Sequence, residues 1–205
     1  MWNDPNAATY ATPTGYRAHA KEAWAWYSMR AQMAARVQPN PGHVAIATIE
    51  RRVPDFLLVT QNVDGLHHRA GSKNVLELHG SLRQFRCFDC GTLVGPPEPS
   101  ASSACTSCGG LLRPDVVFFE ENLPVGAIER AFDAAERCDI LLSVGTSNLV
   151  WPAAQVPAHA LAAGAHVVIV NVELSGQIPP GDRILHLQGS AGDVLPRLTA
   201  MAWSD

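Results

Sequence analysis

Four of the five cysteines stand in two pairs whose spacing suits a metal site. The segments 87–90 (CFDC) and 105–108 (CTSC) give the pattern CxxC…CxxC, with a stretch rich in Pro, Gly and Ser between them. Two such pairs supply the four thiolates of a closed tetrahedral zinc site, which has no open position for water. A redox dithiol would need only one pair. The spacing therefore predicts a structural zinc ion, bound by Cys87, Cys90, Cys105 and Cys108.

His79 is the strongest candidate in the chain for proton transfer. An imidazole titrates near neutral pH and can accept a proton there. His79 lies in the segment 77–80 (ELHG), some 15 positions after three polar residues, Gln61, Asn62 and Asp64. Each of these residues also has an ordinary interpretation, because Asn and Asp are typical turn residues and an isolated histidine often packs in a core or loop. The residues alone leave both interpretations open.

The elements around these residues are typical of a parallel sheet. The apolar run 56–59 (FLLV) has the length and branched residues of a buried parallel strand. Polar residues follow it, and they also follow two later strands, 139–144 and 167–170. In open α/β sheets, ligands bind at this carboxyl end of the strands. The turn 145–147 (GTS), which precedes an Ala-rich helix from Pro152, suits a phosphate or ribose, although many α/β proteins have such a turn.

Composition and the positions of Pro and Gly predict the remaining elements. Residues 1–14 predict a loop. The other predicted elements are helices at 16–37, about 43–52 and 125–137, extended segments at 111–120 and 184–187, and a terminal helix.

Several of these segments together resemble the motifs of the sirtuins, which are NAD-dependent protein-lysine deacylases. TQNVDGLHHRAG at 60–71 and LELHGS at 76–81 are similar to the paired core motifs of that family. GTSNLVWPA at 145–153 and NVE at 171–173 resemble its later cofactor motifs, in the same order. The likeness runs from Trp2 to about Leu198. It implies an α/β fold with a Rossmann-like, mostly parallel sheet, an inserted zinc-ribbon module and a helical substrate-pocket segment.

The resemblance also implies how the chain is divided. We expect a single catalytic domain over 1–205, with a helical segment at 10–53 and the zinc-ribbon insertion at 84–113. The Rossmann-like core is expected to comprise 54–83 and 114–205, without the first strand of that fold. The match departs from the family at Glu120, where sirtuins usually have glycine.

By resemblance, the co-substrate is NAD and the zinc is structural. The family's roles place the nicotinamide end of NAD on the segment 61–64, which comprises Gln61, Asn62, Val63 and Asp64, and make His79 the general base that takes a proton from the ribose. The remaining cofactor-binding residues that the resemblance implies are Gly145, Thr146, Ser147, Asn171, Val172, Glu173 and Ala191. The implied reaction transfers the acyl group of an acyl-lysine protein or peptide to NAD, and it releases nicotinamide, free lysine and acylated ADP-ribose.

A tyrosine and an arginine one helical turn apart suggest which acyl group is removed. Tyr27 and Arg30 lie three positions apart and share a face of the predicted helix. Such a pair resembles the acyl-pocket motif of sirtuins that prefer acidic acyl groups, because a guanidinium can bind a carboxylate with two hydrogen bonds. This implies removal of succinyl or malonyl as well as acetyl groups. The ordinary alternative is an aromatic helix that packs on the core, with a solvated arginine.

The sequence has no Gly-rich turn of the kind that begins a dinucleotide-binding sheet, since it starts at Met1 and Trp2. Because that turn holds the pyrophosphate of the cofactor, we expect these 205 residues to bind NAD weakly or not at all. The missing turn indicates either a truncated start of the sequence or a divergent chain that no longer holds the cofactor. The alternative to a deacylase is therefore a catalytically inactive, sirtuin-like, zinc-containing binding module.

Composition narrows the partners and the compartment. With 15 basic and 19 acidic residues, the net charge is −4, so no direct contact with nucleic acid is expected. No apolar run approaches the roughly 18 residues of a membrane span, and the N-terminus has no signal-peptide pattern. Cysteines in CxxC pairs are typical of a reducing compartment, which predicts a cytoplasmic protein.

Overall fold

The computed structural model describes residues 7–173 and 181–203, and these residues separate into two compact units. The first unit contains the chain up to Val37 together with 61–65 and 79–124. The second contains 38–60, 66–78 and the chain from Val125 onward. Neither unit is continuous in sequence.

The described residues form eight α-helices and eight strands. The helices are α1 (Ala7–Tyr10), α2 (Pro13–Ala18), α3 (Ala20–Arg36), α4 (Pro41–Arg52), α5 (Leu66–Arg69), α6 (Ala127–Arg137), α7 (Val156–Ala163) and α8 (Ala191–Ala202). The strands are β1 (Leu58–Thr60), β2 (Val75–Glu77), β3 (Gly80–Cys87), β4 (Leu93–Val94), β5 (Leu112–Val116), β6 (Ile140–Val144), β7 (His166–Asn171) and β8 (Ile184–Gln188). No helix in this part of the chain is both long and apolar enough to cross a membrane.

The first unit begins with helices where the composition predicts a loop. Residues 1–6 lie outside the described part of the chain, but α1 starts at Ala7 and α2 at Pro13, so the loop prediction for 1–14 is wrong there. The reason is helix capping: the Thr12 hydroxyl accepts the N–H of Gly15 at 3.0 Å, and Pro13 occupies the first helical position. The predicted helix 16–37 is interrupted at His19, where φ is −124° and ψ is 41°.

Aromatic side chains from these helices form the core of the first unit. Tyr16 is fully buried, and its ring lies 5.9 Å from that of Tyr27 and 5.5 Å from that of Phe118. Trp24 packs edge-on against Phe85 of the antiparallel sheet β4-β3-β5. The same cluster includes Cys87 and Cys105, so the predicted zinc ligands adjoin this core.

A buried ion pair closes the segment that follows β5. The Arg113 side chain is 2% exposed; it donates to both carboxylate oxygens of Glu121, at 2.7 Å for Nη2 to Oε2, and to the carbonyl of Val116 at 2.7 Å. Glu121 also accepts the backbone N–H of Phe118 at 2.8 Å. Burial alone would raise the pKa of Glu121, but the hydrogen bonds from Arg113 and Phe118 outweigh it and lower that pKa. The carboxylate therefore stays charged and holds the segment in a turn.

This turn corrects the extended segment predicted at 111–120. The strand ends at Val116, and the chain turns at Phe119 and Glu120. Glu120 has φ of +72°, a backbone conformation that glycine adopts readily and other residues adopt at a cost of about 1–2 kcal/mol. The backbone at this position is therefore one that suits the glycine usual in sirtuins.

The second unit carries the parallel strands. β1 pairs with β2, and β6, β7 and β8 form a second parallel sheet in that order. In the described residues, β1 and β6 each pair with a strand on one side only. Ala45 of α4 and Leu195 of α8 pack with Val170 of β7 in one core cluster. The predicted α/β fold with parallel strands is confirmed, although β1 begins at Leu58 rather than at Phe56.

Candidate active site and zinc centre

The four paired cysteines converge in the first unit. Their sulfur atoms all lie within 4.8 Å of one another, with Cys87 Sγ 3.5 Å from Cys108 Sγ and Cys90 Sγ 3.7 Å from Cys105 Sγ. A Zn–S distance of about 2.3 Å places the sulfur atoms of a tetrahedral site about 3.8 Å apart. The spacing of these thiols therefore fits a zinc ion with four protein ligands.

Each cysteine pair also has the backbone contacts of a metal-binding turn. The N–H of Asp89 points to Cys87 Sγ and the N–H of Gly110 to Cys108 Sγ, both at 3.4 Å. A hydrogen bond with the Thr92 hydroxyl lowers the pKa of Cys90 to about 6. The Gly110 N–H lowers the pKa of Cys108, but the neighbouring Cys90 and Cys87 thiols outweigh this donor and raise that pKa, so the thiols differ in how readily they form the thiolate that binds zinc.

His79 forms a hydrogen bond that defines its role in proton transfer. Its Nδ1 atom lies 3.2 Å from the carbonyl oxygen of Gln61. A carbonyl oxygen can only accept, so Nδ1 carries the proton, and in the neutral ring Nε2 is the proton acceptor. Burial lowers the pKa of His79, and the bond to Gln61 offsets this only in part. The imidazole is therefore neutral at pH 7, with Nε2 able to act as a base.

The predicted cofactor-binding segment 61–64 lies in the same unit as His79. The carbonyl of Val63 accepts the N–H of Leu82 at 2.8 Å, which fixes the segment beside β3. Asn62 is exposed and Asp64 is half-buried. Gly65 has φ of +72°, as expected of a turn. The structure thus brings together the 61–64 segment and His79, two candidates that the sequence separates by 14 residues.

Gly80 explains why a glycine follows the candidate base. Its φ is +74°, and a Cβ atom there would lie 2.2 Å from the Asp115 carbonyl oxygen of the neighbouring strand β5. The backbone N–H of Val117 donates to the carbonyl of His79 at 2.9 Å, so the two segments are held at this distance. No side chain fits at Gly80 unless the backbone around His79 moves.

We expect Gly80→Ala to destabilise the protein by at least about 2 kcal/mol, because it combines left-handed strain with a clash against backbone. The measurement is the free energy of unfolding in urea. Gly126→Ala is the matched control, because Gly126 also has φ of +74° but no atom beyond its chain neighbours lies within 4 Å of its Cβ position. Equal losses in the two variants would show that the approach of Asp115 carries no cost.

In the second unit, polar groups meet at the carboxyl ends of β6 and β7. The side-chain amide of Asn171 donates to the carbonyl of Thr146 at 3.1 Å, and the N–H of Gly145 donates to the carbonyl of Val170 at 2.9 Å. Because β6 and β7 are parallel neighbours, the turns that leave them adjoin. The predicted residues Gly145, Thr146 and Asn171 therefore form one cluster, in which Ser147 is exposed.

The end of β8 joins this cluster. Gly189 donates its N–H to the carbonyl of Asn171 at 2.9 Å, and Gln188 Nε2 donates to the carbonyl of Val172 at 3.2 Å. Ala191 opens α8, which Ser190 caps, and Glu173 is exposed. Exposed hydroxyl and amide groups at the ends of parallel strands suit the ribose and phosphate groups of a dinucleotide, and an exposed carboxylate suits a ribose hydroxyl.

The two predicted acyl-pocket residues lie on α3. Tyr27 is 6% exposed, with its ring stacked 5.7 Å from that of Phe118, whereas Arg30 is half-buried. Burial is the largest of the effects that raise the pKa of Tyr27, so its phenol remains a hydrogen-bond donor at all physiological pH values. Tyr27 therefore belongs to the core cluster, and it also lies one helical turn before Arg30.

Sequence reasoning misses the side chains that support this pair. Trp26 lies under the Arg30 guanidinium, with Arg30 Cζ 3.7 Å from the centre of the ring. Phe118, which stacks on Tyr27, is itself contacted by Arg113 at 3.7 Å. In the sequence, only the spacing of Trp26 and Arg30, four positions apart on a predicted helix, indicates the contact between them.

Comparison with known proteins agrees with this fold and these clusters. The model of the Sir2 family matches residues 1–152. NAD-dependent protein deacylase 2 of Pyrobaculum aerophilum is 45% identical over 200 residues, which is 97% of this chain and 80% of that protein. A Sir2 homologue in complex with NAD has a TM-score of 0.90 and 37% identity over 98% of this chain and 79% of that one. A Sir2 protein bound to acetylated peptide has a TM-score of 0.86 and 28% identity over 95% of this chain and 83% of that one.

The fold, the four-cysteine cluster and the contact of His79 with the 61–64 segment define the class of protein. It is an α/β protein with a four-cysteine zinc module and a histidine that can act as a base. The family follows from the match to its model and from the identity with its members. The chain belongs to the Sir2 family, and the expected resemblance to sirtuins is confirmed.

Proposed function

We propose that this chain is an NAD-dependent protein-lysine deacylase. The observation that carries the proposal is the bond from His79 Nδ1 to the carbonyl of Gln61, which leaves Nε2 as a base beside the 61–64 segment. Relatives that are about 45% identical bear the name NAD-dependent protein deacylase. Related structures hold NAD or an acylated peptide. These relatives support the enzyme over an inactive binding module.

The residues that would hold NAD are those that the family resemblance implies: Gln61, Asn62, Val63, Asp64, Gly145, Thr146, Ser147, Asn171, Val172, Glu173 and Ala191. When bound, NAD supplies the activated ribose carbon to which the acyl oxygen is transferred. The ribose and phosphate groups of NAD fit the hydrogen-bond donors and acceptors described above.

His79 performs the proton transfer in this proposal. The neutral imidazole accepts a proton at Nε2, while Nδ1 continues to donate to Gln61 and holds the ring in one orientation. Because the Gln61 carbonyl stabilises the ring's N–H, the charge that develops on His79 after proton uptake is partly balanced. Zinc has no part in this step, since four thiolates leave it no position for substrate.

We also propose that the enzyme removes the acidic succinyl and malonyl groups as well as acetyl groups. Arg30 and Tyr27 share one turn of α3, and the proposal assigns their guanidinium and phenol hydroxyl to a carboxylate at the far end of the acyl chain. Tyr27 is protonated and can donate. A bidentate, charge-assisted contact of this kind is worth about 1.5–3 kcal/mol.

The net charge of −4 gives no support to a broad basic surface for nucleic acid, and we propose acyl-lysine proteins or peptides as the partners. Cysteines in two CxxC pairs are typical of a reducing compartment, and we propose the cytoplasm.

The test of the proposed activity is nicotinamide release from NAD in the presence of an acetyl-lysine or succinyl-lysine peptide. Release should require both NAD and the acylated peptide, and the peptide should gain a free lysine by mass spectrometry. Acylated peptide that remains unchanged, at enzyme concentrations comparable to those of the peptide, would contradict the proposal.

Arg30→Met is expected to lower kcat/KM on a succinyl-lysine peptide roughly ten- to a hundredfold, because it removes the charge-assisted contact. Activity on the matched acetyl-lysine peptide should stay within about twofold, since acetyl has no carboxylate. Arg36→Met makes the same chemical change at an exposed position of the same helix and should alter neither substrate. Equal losses on both peptides in Arg30→Met would show that Arg30 only supports the helix.

A further inference from the structure

The Arg30 side chain packs against the ring of Trp26 on the same helix. Its Cζ atom lies 3.7 Å from the centre of the Trp26 ring, four positions earlier on the helix. At this distance the positively charged guanidinium lies over the negative face of the indole, which is the strongest of the aromatic partners for such a contact. Both side chains are half-buried, so water screens the attraction only in part.

Trp26 is itself held in place by two aromatic rings. The Tyr10 ring lies 5.9 Å away at an interplanar angle of 71°, and the Tyr27 ring lies 4.6 Å away at 85°. Both are edge contacts, which aromatic pairs favour. The indole therefore offers Arg30 a fixed surface that is in contact with the second acyl-pocket residue.

The geometry of a guanidinium makes this support compatible with binding a carboxylate. Stacking occupies the flat face of the group, whereas the paired hydrogen bonds to a carboxylate leave from its edge. A side chain stacked on a fixed ring loses fewer rotamers when it binds, so less affinity is lost to ordering.

We propose that Trp26 is a positioning residue for acyl selectivity, which orients the Arg30 guanidinium toward the carboxylate of an acidic acyl group. The inference rests on the proposed role of Tyr27 and Arg30. Trp26 itself does not contact the reacting atoms in this proposal; it acts through Arg30.

The test measures the Kd of fluorescent succinyl-lysine and acetyl-lysine peptides of identical sequence by anisotropy, with the full chain. Trp26→Leu should weaken binding of the succinyl peptide about three- to tenfold and leave the acetyl peptide within about twofold. Trp26→Phe keeps a weaker ring and should give a smaller change in the same direction. Met33→Ala is the matched control: Met33 lies on the same helix, is 58% exposed, and should leave both Kd values unchanged.

Selective loss of succinyl binding in Trp26→Leu, with an intermediate value in Trp26→Phe, supports the inference. Equal weakening of both peptides would overturn it, because the ring would then only support the helix. If Trp26→Leu does not fold, Trp26→Phe decides: an unchanged ratio of the two Kd values overturns the inference. Arg30→Met separates the two proposals. An unchanged ratio in that variant refutes the acyl preference itself, whereas a changed ratio there and none in the Trp26 variants refutes only the role of Trp26.

Discussion

Replacing His79 with alanine should lower kcat/KM for acetyl-lysine and succinyl-lysine peptides alike, by roughly 10²–10⁴-fold. That is the usual contribution of a general base. The two substrates should lose equally because the base acts at the ribose end of the reaction, which does not depend on the acyl group. Nicotinamide release with each peptide gives the measurement. His166→Ala is the control, since His166 is exposed and begins β7, at the opposite end of that strand from Asn171.

The pH dependence follows from the direction of the His79 pKa. Burial lowers it from the ordinary value of 6.5, so the neutral base persists to a pH below that value. The acidic limb of kcat/KM should therefore lie below pH 6.5 and disappear from the residual activity of His79→Ala. The same shift links to stability: the unfolded chain takes up the proton first, so stability falls as pH drops from 6.5 through the lower folded pKa. A limb above pH 6.5, or activity in His79→Ala above about a tenth of the parent, would exclude His79 as the base.

The zinc ligands and the parallel strands could be predicted from the sequence because their signals are local. A CxxC pair requires only that four residues form a turn, so 87–90 and 105–108 identify their chemistry without knowledge of the fold. The strands β6 and β7 are mostly apolar and are followed by polar residues. Their carboxyl ends adjoin because neighbouring parallel strands end at the same edge, which predicts the contact between Asn171 and Thr146.

Contacts between distant segments could not be predicted in the same way. An arginine in a sequence usually predicts an exposed side chain, but Arg113 is buried. Its burial is possible because Glu121 and the Val116 carbonyl accept its hydrogen bonds. That arrangement depends on the left-handed backbone conformation at Glu120. A glutamate in the sequence does not predict such a conformation. The tautomer of His79 likewise depends on the Gln61 carbonyl, 18 positions away, whose direction only the fold determines.

The helices near the N-terminus show a different kind of limit. Pro5 and Pro13 favour a loop by composition, but Pro13 stands at the first position of α2, where its missing N–H costs nothing. The signal was present in Thr12, a good capping residue directly before that proline. Reading Thr12 and Pro13 as a helix start would have predicted α2.

Removal of zinc should produce the largest loss of stability of any change to this chain. The segment between the cysteine pairs has only the two-residue strand β4 and a single bridge between Ala104 and Leu111 as regular structure. A segment with so little core relies on its metal, and structural zinc binds with an apparent free energy of about 10–16 kcal/mol. This is similar in size to the whole stability of a typical domain, which is about 5–15 kcal/mol.

Metal analysis of protein purified without chelator should therefore find about one zinc ion per chain, and Cys105→Ser should lose it, since a closed site needs all four thiolates. Hydrogen exchange should show loss of protection over 84–113 first, and then in the aromatic core that contains Cys87 and Cys105. Cys138→Ser is the control, because Cys138 lies outside the four-cysteine cluster, and this variant should retain zinc. Protein without metal, or Cys105→Ser with the zinc content and unfolding midpoint of the parent, would show that the thiols do not form a zinc site. Loss of zinc with intact protection at Phe85 and Tyr16 would instead show that the aromatic core folds without the metal.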